Sequence, residues 1–129
     1  MKTLLLIPFL FIYNMVIGQA PGKGPYPAPN PNYTRQIGAL EWHSRPYGYQ
    51  LWWQDARERC YGLGNGWRMP TQTELAEFYR NGGFGTQSGY FWTSTPYDDR
   101  YVYVLYKHGS TAEWVHESKT ASNFVWAVR

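Results

Sequence analysis

Four stretches in the C-terminal half of the chain alternate between apolar and polar positions: YFWTST, YVYVLY, TAEWVHE and NFVWAVR, separated by the turn-prone PYDD, KHGS and SKTAS. A period of two predicts four strands in a meander. Upstream the spacing is helical. In LWWQDARERCYGLG, Trp53, Ala56, Cys60 and Leu63 recur every three or four positions, which predicts a short helix with Cys60 facing inward and Gly62 or Gly64 as its stop. In GNGWRMPTQTELAEFY, Thr71 and Glu74 form a capping box after Pro70, so a second helix is expected from about Thr71. Leu75, Phe78 and Tyr79 give it a buried stripe, and the NGG at residues 81–83 suits a left-handed cap. IGALEW, residues 37–42, reads as a first strand, followed by the turn-rich HSRPYGYQ. The order of elements predicts an α+β domain.

The first residues change the setting. Lys2 is followed by an apolar run that is short for a membrane span, and Val16 and Gly18 suit cleavage before Gln19. Residues 1–18 are therefore expected to be a signal peptide, and the mature protein to be secreted, extracellular or at the cell surface, with no membrane span. Residues 19–34, QAPGKGPYPAPNPNYT, are proline-rich and without apolar periodicity, which predicts an extended arm. Residues 35–129 suffice for one domain. Asn32 to Thr34 fit a glycosylation sequon.

Charge excludes one class of partner. The net charge of +3 falls by one with Lys2, and no basic run exists to hold nucleic acid. Aromatic residues make up 19% of the sequence while charged residues make up 16%, against a usual ~25% charged. A core of this size cannot enclose every ring, so some are expected on the surface as ligand or partner contacts. Tyr and Trp also serve simply as strand formers.

The order WQDARERC, GWRMPTQTEL, YFWTST, FVWAVR resembles a bacterial exported domain family related to C-type lectins and formylglycine-generating enzymes, exemplified by the C-terminal domain of the Legionella collagen-like adhesin. The family pattern joins a W-x-x-A-x-x-x-C helix, a W-R-L-P-T helix start, a Y-W-S-S-T strand and a terminal V-R-C-V-R strand. Trp53, Ala56 and Cys60 match the first part, and Trp67, Arg68, Met69, Pro70 and Thr71 the second. Phe91, Trp92, Thr93, Ser94 and Thr95 match the third, and residues 125–129 the fourth, with Trp126 and Ala127 replacing the family's arginine and cysteine. The resemblance implies a C-type-lectin-like fold: two helices packed on a twisted antiparallel sheet whose first and last strands pair. It also implies that Ala127 stands where a disulfide partner of Cys60 would, since Cys60 is the sole cysteine. Losing such a bridge removes about 2–5 kcal/mol.

Chemistry is sparse. GWRMPT reads as a structural joint in which Pro70 shapes the approach to the cap, Thr71 satisfies free N–H groups, and Trp67 and Met69 pack beneath. Arg68 holds carboxylates or carbonyls there, or reaches a ligand. A core-facing Cys60 is inert as a nucleophile. His43, His108 and His116 lack metal-ligand spacing, Ser94 has no nucleophile elbow, and GLGNG lacks the lysine of a phosphate loop. Asp98 and Asp99 offer two calcium-type oxygens, or mark a turn. No enzyme, cofactor or metal is expected. In lectin-like folds the ligand surface lies on loops that here map to NGGFGTQSGY and PYDDRY, so Phe84, Tyr97, Asp98, Asp99, Arg100 and Tyr101 are the candidate ligand residues, for a glycan or a cell-surface or matrix protein. The alternative is a structural subunit that self-associates through residues 19–34 and its exposed rings.

Overall fold

The computed structural model describes residues 34–43, 46–47 and 50–129. The expected signal peptide, nearly all of the expected arm, and Asn32 and Tyr33 of the sequon lie outside the described residues. Thr34, grouped with the arm on sequence, opens strand β1, Thr34–Ile37, which pairs antiparallel with β2, Leu40–His43. The single strand expected at residues 37–42 is thus a hairpin. Gly38, at φ +63°, turns the chain in two residues, and its left-handed backbone suits glycine.

Helix α1 spans Trp53–Gly62 and buries Ala56 and Cys60. Helix α2 spans Gln72–Arg80 and buries Leu75 and Phe78. Its capping box is complete: the Glu74 N–H donates to Thr71 Oγ1 at 3.2 Å, and the Thr71 N–H donates to Glu74 Oε1 at 2.9 Å. Arg68 donates to both oxygens of the same carboxylate, at 2.7 and 2.8 Å. Its role is therefore structural, and the bidentate pair holds the Glu74 carboxyl below its ordinary range.

Strands β3, Gly89–Pro96, β4, Tyr101–His108, and β5, Thr111–Ser118, form an antiparallel sheet in that order. The expected fourth strand does not continue this meander. Residues 123–128 run back through the middle of the domain, bridging Leu51, Trp42 and Arg68 in antiparallel fashion and Phe91 in parallel. Composition accounts for the difference: Val125, Trp126, Ala127 and Val128 are all at most 1% exposed, so the segment needs cover on both faces, which an outer position cannot give. The first and last segments do pair: Glu41 N–H donates to Arg129 O at 2.8 Å and His43 N–H to Ala127 O at 3.2 Å.

Successive side chains of β3 and β4 point to opposite faces, and both faces are covered. Trp92, Val102 and Val104 join Ala56, Cys60, Trp67 and Ala127 on the α1 side. Phe91 and Leu105 join Trp42, Leu75, Phe78, Phe84 and Trp126 on the α2 side. Most of the tryptophan therefore serves the core, including Trp92, whose Nε1 donates to Leu51 O at 2.7 Å. Trp53 is half-buried and donates to Thr93 O at 2.9 Å.

His43 gives this core a pH dependence. It is 1% exposed, lies 4.3 Å from the Trp67 ring, and its buried Nε2 has no hydrogen-bond partner among the described residues. Desolvation, reinforced by the Arg129 charge, pushes its pKa from 6.5 down to about 4. Between those values the unfolded chain binds the proton and the folded chain does not, so stability falls as pH drops through the window, by about 3 kcal/mol in all. The melting temperature is expected to decline from pH 6.5 toward pH 4, and His43→Phe to flatten that part of the curve. An unchanged slope in the variant would place its source elsewhere.

Candidate functional site

The β3–β4 hairpin carries the largest exposed aromatic group that the sheet supports. Its tip is built by Asp98, whose Oδ1 accepts the N–H groups of Arg100 and Tyr101, both at 2.9 Å. These bonds, the Arg100 one first, keep the Asp98 carboxyl below its ordinary range. Asp98 thus shapes the turn, as an Asx side chain does. The pairing shift between Trp92 and Pro96 lengthens the β3 side of the hairpin.

Tyr97 is 49% exposed and stacks flat on His116 of β5, with ring centroids 3.9 Å apart and planes 6° from parallel. Tyr101 meets the same imidazole edge-on at 5.6 Å, and Tyr103 meets Tyr97 edge-on at 5.5 Å. Strand register explains the grouping, because Tyr103 and His116 are directly opposed across β4 and β5. Asp99 and Arg100 are exposed beside these rings, and neither forms an ion pair among the described residues. The result is a set of rings held by one another and rimmed by free polar groups. It can stack on an apolar ligand face and fix orientation by hydrogen bonds.

Phe84 does not belong to this surface. The sequence places it among ligand residues because glycines surround it, yet it is 2% exposed and packs against Phe91 at 4.8 Å, Phe78 at 5.3 Å and Trp126 at 5.7 Å. The glycines let the loop descend. A Cβ on Gly83 would meet the Phe78 ring at 2.3 Å, and Arg35 Nη2 donates to Gly83 O at 2.6 Å. Residues 81–88 are thus part of the fold. His116 and Tyr103 were not legible as site residues, since only the β4–β5 register brings them to Tyr97.

Cys60 is fully buried, and burial pushes its thiol far above the ordinary range. Among the described residues no three His, Cys, Asp or Glu side chains gather where they could hold a metal ion, and no helix is long and apolar enough to cross a membrane.

No family model matches the chain, and no curated protein is significantly similar to it in sequence. Solved structures do match. EMS16, described as an antagonist of the collagen receptor integrin α2β1, superposes with a TM-score of 0.60 at 14% identity, over 77% of this chain and 98% of its own. Rhodocetin superposes with a TM-score of 0.58 at 12% identity, over 78% of this chain and 98% of its own. At such identities the likeness speaks for architecture, and with two helices, the antiparallel sheet and paired terminal segments, the chain has a C-type-lectin-like fold.

Proposed function

We propose that this chain is an exported, non-catalytic recognition module that holds a polysaccharide or a protein ligand on the β3–β4 hairpin face. The observation that carries the reading is the exposed stack of Tyr97 on His116, with Tyr101 alongside. Exposed rings that pack on one another rather than into the core are preorganised for a partner. EMS16, which shares the fold, acts on a receptor protein by its description, which supports recognition of a protein by such a scaffold. The N-terminal apolar run supports export, and the motif resemblance supports a bacterial surface or matrix setting.

The test is a screen of the mature protein against immobilised glycans and matrix proteins, with and without a calcium chelator, alongside light scattering of the protein with and without residues 19–33. A monomer in both forms with chelator-insensitive binding supports the module. Oligomers that vanish with the arm would make self-association the primary role. The β5 edge favours that second reading: it pairs only with β4 among the described residues and offers a row of backbone groups to a further strand.

A further inference from the structure

Lys107 is a buried cation without an anion. It is 5% exposed, and its Nζ donates to one acceptor, Gly109 O, at 2.8 Å. All nine Asp and Glu residues of the sequence fall within the described residues, and none forms an ion pair with it. Glu41, Glu74 and Glu77 are engaged by Arg129, Arg68 and Arg80. A mostly buried side chain whose ammonium keeps spare donors is suited to an anion that answers its charge. Nothing in strand pairing requires a lysine there, since its cross-strand neighbours are Gly89 and Ala112.

Lys107 lines a cleft of about 380 Å³ together with Tyr79, Arg80, Gly82, Phe84 and Ser110, among others. The volume lies at the small end of the range for small-molecule sites. Gly82, Gly85 and Gly109 take left-handed backbone with open space where a side chain would stand, so no side chain narrows the cleft at these positions. Arg80, exposed at the rim and paired with Glu77 at 3.0 Å, adds a guanidinium whose remaining N–H groups can reach the ligand. We infer that this cleft binds the carboxylate of an acidic sugar, with Lys107 as the buried counter-charge, Tyr79 as a ring wall, and the Ser110 hydroxyl meeting a sugar hydroxyl. The site lies roughly 20 Å along β4 from Tyr101. It is independent of the hairpin face, and either can fail without the other.

The test is an amide-resolved NMR titration of the whole mature protein with D-galacturonate and, in parallel, its neutral counterpart D-galactose. The expected result is a saturating shift of the Gly82, Gly85, Gly109 and Ser110 amides with the acid and about tenfold weaker binding, or none, with the neutral sugar. Lys107→Met is expected to abolish the acid's effect with an unchanged or higher melting temperature. Arg80→Ala is expected to weaken it severalfold. An oligogalacturonate arm separates a polymer-bound from a free sugar acid by which one binds tighter. Equal responses to the two sugars, no response to the acid, or a Lys107→Met variant that titrates like the parent overturns the inference. The two-sugar comparison on the parent protein needs no variant, so the result stands even if Lys107→Met does not fold.

Discussion

Phe84→Ala is expected to lower the stability of the domain by about 3–5 kcal/mol, the cost of removing a fully enclosed aromatic ring. That is a large share of the roughly 5–15 kcal/mol that holds a domain of this size together. Phe84 is the hinge of the aromatic cluster on the α2 side, touching Phe78, Phe91 and Trp126 at once and Tyr79 at 6.2 Å. Its removal leaves a cavity that those stacked rings cannot close without losing their own contacts. Denaturant unfolding, read as a lower midpoint at unchanged slope, measures the effect. A variant as stable as the parent but defective in binding would return Phe84 to the ligand surface.

Ala127→Cys is expected to act in the opposite direction, adding about 4 kcal/mol by closing a loop of about 70 residues. Cys60 and Ala127 lie in one buried cluster, and Cys60 Sγ is 3.8 Å from the carbonyl of Trp126, the residue next to Ala127. The terminal segment therefore passes directly over the α1 thiol. Because burial suppresses the thiolate of the folded chain, the bridge must form while the chain is still open, so the variant is refolded under oxidising conditions. A rise in melting temperature with no titratable thiol in the denatured protein is the expected outcome. Two free thiols after oxidation would mean that the two positions do not face each other.

Local signals were legible and long-range ones were not. The α2 capping box joins residues three apart, and α1 shows its inward face through Ala56 and Cys60, so both helices could be read directly. The hairpin tip was legible because PYDD sits between two alternating runs. Other features depend on partners distant in sequence. NFVWAVR has the composition of a strand, but its destination beside β2 and Arg68 is set by contacts spanning most of the chain. Phe84 looked exposed because its glycine neighbours are also what a surface loop would use. Gly38 looked like an ordinary strand residue because a two-residue turn leaves the apolar pattern on either side intact. Lys107 gave only a faint signal, a cation ending the apolar run YVYVLY, because its isolation depends on where the fold places the carboxylates.

The candidate site follows the same division. Tyr97, Asp99, Arg100 and Tyr101 come from one short segment and were found together. His116 is supplied by β5 and completes the stack. Asp98 moves from ligand contact to turn formation, since both of its bonds go to the backbone it bends.

The most direct measurement compares the Tyr97→Ala, Tyr101→Ala double variant with the parent in binding to whichever glycan or matrix protein the screen retains, with melting temperatures recorded on the same samples. Recognition on the hairpin face predicts at least about a tenfold loss of affinity, as expected when exposed aromatic anchors are removed, with little change in melting temperature because neither ring is enclosed. Undiminished binding by a folded double variant would contradict the account and move the ligand surface elsewhere on the fold.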